Sequence, residues 1–153
     1  MSFWDSLRIS ASALTAQRLR LDVISNNIAN AETTRTAAGG PYKREDVVFT
    51  TEGSNNLFPA MLLSQRDPSE QASLAAAGVQ VQQIVTDNTP GPRVYDPTHP
   101  DADQNGYVTY PNVNIVSEMT NMLSATRSYE AAMSALEASK RMALRALDIS
   151  SSH

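Results

Sequence analysis

The sequence predicts a mainly α-helical chain with a small β insertion, and three observations predict it. Two apolar beats of seven residues mark the ends, Leu7, Leu14, Leu21 and Ile28 at the front and Ile115, Met122, Tyr129, Leu136 and Ala143 at the back. All 6 glycines and 8 prolines fall between them, so residues 1–38 and 112–153 hold no helix breaker. A repeat of about 3.5 residues keeps one stripe turned toward a neighbouring helix. The expected architecture is a long N-terminal and a long C-terminal helix pairing as a coiled-coil-like core, with a β-rich, Gly/Pro-containing middle segment. Its parts are 1–38, the first helix and an asparagine motif; 39–111, the β-rich middle, loop-like over 51–77; and 112–153, the second helix.

The first helix is expected over about residues 3–29. Ser2 can cap its first N–H groups, and Asp5 suits the positive helix end. Trp4, Leu7, Ala11, Leu14, Leu21, Ile24 and Ile28 make its apolar face, with Arg18 and Ser25 interrupting the second row. Asn26, Asn27 and Asn30 weaken helix propensity and tolerate left-handed backbone, which places the helix end near them.

From Thr33 to Pro111 the chain is punctuated by Gly39-Gly40-Pro41, Asp67-Pro68, Pro90-Gly91-Pro92, Asp96-Pro97 and His99-Pro100. Short strands fit between these turns at Val47–Thr50, Gly78–Thr86, Arg93–Tyr95 and Tyr107–Tyr110. The last helix begins between Asn112 and Asn114, either of which can cap it, and reaches about Leu147. Beside the row from Ile115 to Ala143, a second row of Met119, Thr126, Met133, Lys140 and Leu147 completes its expected seam.

Composition excludes several function classes. Net charge is −4, and no basic run exceeds the pairs Lys43-Arg44 and Lys140-Arg141, so a nucleic-acid footprint is unsupported. With no cysteine there is neither thiolate catalysis nor a thiolate metal site. His99 and His153 are the two histidines, and neither stands near a nucleophile-elbow sequence; no glycine-rich phosphate loop occurs. The expectation is a non-enzyme with no cofactor. Met1 to Arg8 lacks the basic and apolar pattern of a Sec signal, and no stretch approaches the roughly 20 apolar residues of a membrane span. Direct membrane insertion is therefore not expected.

One string imitates a metal site. Asp101, Asp103, Asn105 and Gly106 match positions 1, 3, 5 and 6 of a calcium loop, but position 12 falls on Asn112, and Pro97, Pro100 and Pro111 deny the flanking helices. The competing reading is a polar turn in which Asn105-Gly106 supplies positive φ before a strand. A calcium-dependent module and a coiled-coil adaptor stay as alternatives to a self-assembling structural protein. Periodicity alone leaves open whether the two helices pair within one chain or with partners. Ile9, Ile24, Val116, Leu123, Leu144 and Ile149 lie off the main stripes, and this apolar width favours partners outside the chain.

The segment Ser25-Asn26-Asn27-Ile28-Ala29-Asn30-Ala31-Glu32-Thr33-Thr34 resembles the N-terminal signature of bacterial flagellar rod, hook and hook-associated proteins, with Glu32 where asparagine or serine is common. Gly39 to Arg44, Tyr95 to Asp103, Gly106 to Asn114, Glu118-Met119 and Arg127 to Ala131 are similar to the proximal-rod members of that family. The likeness covers about 2–50 and 78–149; residues 51–77 match no family pattern.

The resemblance implies a structural subunit stacked helically with copies of itself and other rod subunits around a hollow axis across the periplasm. It also implies contacts with membrane-ring and rod-junction proteins, and export by the flagellar type III apparatus. Both terminal helices would then line the inner tube, and buried amides would fix register. The assembly residues expected are Leu7, Leu14, Leu21, Asn26, Asn27, Ile28 and Asn30 on the first helix, and Ile115, Met119, Met122, Tyr129, Met133, Leu136 and Leu147 on the second.

Overall fold

A computed structural model describes residues 3–51 and 78–151 of the chain. Along it run helix α1 (Phe3–Ala29), strands β1 (Glu45–Thr51), β2 (Val79–Thr86), β3 (Arg93–Tyr95) and β4 (Tyr107–Thr109), and helix α2 (Ile115–Ser151). The molecule is mainly helical. β1 and β2 form one two-stranded sheet, β3 and β4 another, and the second is antiparallel with Arg93, Val94 and Tyr95 opposite Thr109, Val108 and Tyr107. Expected and observed elements coincide within a few residues. Ser2, the expected cap, and residues 52–77 of the segment expected to be loop-like lie outside the described residues.

Two compact units divide the chain. The described part of the first comprises 3–18, 49–51, 78–82 and 127–151; the second comprises 19–48 and 83–126. In the first unit, Ser12 on α1 accepts the Val79 N–H at 3.0 Å through its hydroxyl oxygen, while the hydroxyl donates to the Ile9 carbonyl at 2.8 Å. A serine within a helix thus holds the start of β2.

The ends of the helices follow from local chemistry. Asn114 caps α2, its side-chain oxygen accepting the Ser117 N–H at 3.1 Å. Asn112, the other expected cap, instead donates to the Asp87 carboxylate at 3.4 Å. α1 ends without the left-handed asparagine expected of it, because no described residue other than glycine has positive φ. The Asn30 side chain instead donates to the Asn26 carbonyl at 2.9 Å, and Ala31 N–H to the Ile28 carbonyl at 3.2 Å. Those bonds use the last helical carbonyls, so no left-handed residue is needed.

The covered face of α2 is a pattern that apolar size alone does not reveal. Its buried positions are Glu118, Ala125 and Ser139, and its half-buried ones Asn121, Met122, Thr126, Tyr129, Ala132, Met133, Leu136, Ala138 and Ala143. Met122, Tyr129, Leu136 and Ala143 are the expected row. Of the expected second row Thr126 and Met133 are half-buried, whereas Lys140 is exposed and Met119 and Leu147 are 56% and 66% exposed; the fully buried residues beside it are Glu118, Ala125 and Ser139. Small side chains let a neighbouring backbone approach closely, and a reading weighted by large apolar residues passes over them. α1 behaves alike: Ala16, Val23, Ile24 and Asn27 are buried, while Leu7, Leu14, Leu21 and Ile28 are half-buried.

The β3–β4 hairpin is stitched by carboxylates, and this speaks for the polar-turn reading over the calcium alternative. Asp103 accepts the Asn105 and Tyr107 N–H groups at 2.8 and 2.9 Å with one oxygen and pairs with Arg93 at 2.6 Å through the other. Asp101 accepts the Thr34 hydroxyl at 2.8 Å and faces Arg35 at 3.4 Å. Oxygens that an ion would need are committed to the protein. Positive φ at this turn belongs to Gly106 alone, at 78°. Above the hairpin, Tyr95 and Tyr107 meet edge to face with centroids 5.2 Å apart, and the Arg93 guanidinium lies 5.3 Å over the Tyr107 ring.

Gly91 sits where two backbones nearly touch. A Cβ there would run into the Tyr110 carbonyl oxygen and come within 2.9 Å of the Asn112 nitrogen. Gly91→Ala is expected to cost about 1–3 kcal/mol in urea unfolding, since backbone cannot yield as a flexible side chain does. An unchanged midpoint would contradict the approach.

Hydrogen bonds hold three hairpin carboxyls below their ordinary value: Asp96 through the Thr98 hydroxyl, Asp101 through the Thr34 hydroxyl, and Asp103 through the Tyr107 backbone N–H. A depressed folded pKa means that the contribution is complete above the ordinary value of 3.8 and is lost as pH falls through the folded values. Tyrosine NMR signals of the hairpin are therefore expected to stay native down to about pH 4 and to shift below it.

Candidate assembly interface

Asn27 is completely buried, although asparagine weakens helix propensity there. All its hydrogen-bonding capacity is used within the second unit. The side-chain oxygen accepts the Tyr42 hydroxyl at 2.9 Å and the Glu45 N–H at 3.0 Å. The side-chain nitrogen donates to the Glu45 carbonyl at 2.8 Å and to the Glu118 carboxylate at 3.2 Å. Towards Glu45 the amide behaves as a neighbouring peptide group would, opening β1 with a side chain in place of a strand.

Glu118, in the first turn of α2, is 1% exposed. One carboxylate oxygen accepts Arg44 Nε at 2.9 Å and lies 3.5 Å from the Asn121 amide, and the other takes Asn27. Stripping water from the Arg44 guanidinium opposes its charge, but the hydrogen bond and charge of Glu118 outweigh this and leave its pKa raised. Burial, then the charges of Glu45 and Glu118, raise the Tyr42 phenol. The phenol consequently stays protonated and able to donate to Asn27.

The remaining expected assembly residues divide by exposure. Leu7, Leu14, Leu21, Ile28, Asn30, Met122, Tyr129, Met133 and Leu136 are half-buried. Asn26, Ile115, Met119 and Leu147 are exposed, as are Val116, Leu123 and Leu144 from off the stripes. Ile149 lies outside the described side chains. Asn27 is the expected residue brought into the buried cluster. Tyr42, Arg44 and Glu118 were not singled out for this role, because Arg44 and Glu118 stand 74 positions apart and no local pattern relates them.

Two family models match the chain. One, described as flagella basal body rod protein, covers residues 7–35; the other, described as flagellar basal body rod FlgEFG protein C-terminal, covers 104–149. The flagellar basal-body rod protein FlgC of Borreliella burgdorferi is 42% identical, over 97% of this chain and 98% of its own length. That of Bacillus subtilis is 44% identical, over 97% and 99%, and that of Salmonella typhimurium 36%, over 97% and 98%. The chain belongs to the FlgC family of flagellar basal-body rod proteins.

In this FlgC-family chain the buried cluster joins the two matched regions, Asn27 coming from the first and Glu118 from the second. It is a structural rod protein and not an enzyme. No described helix is long and apolar enough to cross a membrane.

Asn27→Ala removes the partners of Tyr42, Glu45 and one Glu118 oxygen together, and is expected to cost about 3 kcal/mol in urea unfolding. A loss below about 0.5 kcal/mol, the size of an ordinary surface change, would show that the cluster carries no stability.

Proposed function

We propose that this FlgC-family rod subunit builds the hollow shaft of the flagellar basal body, transmitting torque and letting exported subunits pass. Residues 1–38 and 112–153 form an inner core in which the terminal helices pair in a coiled-coil-like manner, within one copy and with neighbours. Residues 39–111 form the part turned outward. The partners are copies of this chain, other rod subunits, and the proteins of the membrane ring and rod junction. The type III export apparatus carries the chain, without a Sec signal, to a periplasmic site of assembly.

The observation carrying this reading is the distribution of bulk on α2. Ala125 and Ser139 are buried at 0% and 8% exposure, while Met119, Leu123, Leu144 and Leu147 are all more than half exposed. A helix that leaves several large aliphatic residues in water is shaped for further helices. The expected assembly residues follow the same logic: exposed Ile115, Met119 and Leu147 meet neighbours directly, and half-buried Leu7, Leu14, Leu21, Tyr129 and Leu136 complete the contact. Asn26 and Asn30 flank the contact, and Asn27 holds its base. Each aliphatic side chain that becomes fully buried adds on the order of 1.5–3 kcal/mol, repeated at every copy.

Met119→Asp tests this with least damage to the monomer. The folded chain is expected to keep its stability within about 0.5 kcal/mol, while cells carrying the variant fail to swim and complete no rods. Leu21→Asp and Leu136→Asp are expected to stop assembly as well. Normal swimming with Met119→Asp would overturn the placement of α2 in the rod contact.

A further inference from the structure

Two exposed patches of unlike chemistry lie in different compact units. On α2, Ala138, Arg141, Met142 and Arg145 recur at steps of three and four residues and line a shallow hollow of about 330 Å³. Met142 is 64% exposed, and neither arginine forms an ion pair among the described residues. On the hairpin, Val94 and Tyr95 stand out of β3 into solvent, Tyr95 at 63% exposure. Asp103 holds the charge of Arg93, so the carboxylate beside Tyr95 with no arginine or lysine partner among the described residues is Asp96, which accepts the Thr98 N–H and hydroxyl at 3.0 and 2.6 Å and a His99 backbone N–H.

We propose that Arg141, Met142 and Arg145 of one copy dock on Tyr95 and Asp96 of a second copy, making a head-to-tail contact between copies of this chain. The partner follows from complementarity. A guanidinium is satisfied by a carboxylate together with an aromatic face, and the methionine sulfur suits the edge of a tyrosine ring. Because the patches are unlike, each docked copy still offers one free hollow and one free ridge. Such a contact propagates, as a stacked assembly requires. An anionic membrane surface would also attract the arginine face, but it would need nothing of Tyr95 or Asp96. The proposal rests on the rod-subunit reading and adds to it which surfaces meet.

The experiment uses the purified full chain in sedimentation velocity, with circular dichroism confirming that each variant folds. The wild type is expected to form chains of several copies, weakening about tenfold as salt rises from about 0.05 to about 0.5 M. R141E/R145E and Y95A/D96N are each expected to stay monomeric. Mixed together they are expected to form a 1:1 dimer that grows no further, since each supplies the end the other lacks. A wild type that stays monomeric, a variant that associates as the wild type does, or a mixture that makes no dimer overturns the contact. So does binding of the wild type to phosphatidylglycerol vesicles that is lost in R141E/R145E while self-association is unchanged, which assigns the arginines to a membrane surface. If R141E/R145E builds complete rods in cells, this contact fails and the rod reading stands; normal swimming of Met119→Asp touches that reading alone.

Discussion

The second unit depends on keeping one carboxylate out of water. A charge buried as deeply as Glu118 is tolerated only when partners replace its hydration, and each partner here determines something else. Arg44 must arrive from the strand side, which fixes how residues 41–45 approach α2. Asn27 must present its amide nitrogen, which leaves its oxygen for Tyr42 and Glu45 and so fixes where β1 begins. Helix end, strand start and helix start are mutually positioned by one set of hydrogen bonds. An apolar contact of equal area would tolerate a slide of one turn, whereas this cluster does not.

Part of the bulk of α2 stands in solvent, Met119, Leu123, Met142, Leu144 and Leu147 being more than half exposed, while Ala125 and Ser139 are buried. A soluble monomer evolved to remain alone would reverse that arrangement. The contrast matches what the chain's FlgC relatives are named for, a structural part of a larger body.

Much of this was legible from the residues. The absence of Gly and Pro outside 39–111 and the seven-residue beat located both helices, and turn pairs such as Pro90-Gly91 located the strands between them. What escaped was relational. Hydropathy gave no weight to Ala125 or Ser139, whose role lies in what they lack. Helix propensity marked Asn27 as a helix-weakening residue, since propensity describes an isolated helix and not one whose last turn meets a carboxylate and a strand. The spacing of Asp101 and Asp103 imitated a metal loop because turn formation and ion binding call on the same carboxylates, and only their actual partners distinguish the two.

The bond between Asn27 and Glu118 spans 91 positions in sequence. A contact of that separation encloses most of the chain, and its closure entropy must be met before the bond returns anything. The cluster that positions three elements therefore depends on the strand and both helices being present together. Until then each segment holds only local structure, and the chain can be kept extended at little cost. Positional precision in the finished fold is thus bound to contacts that only the nearly complete chain can make.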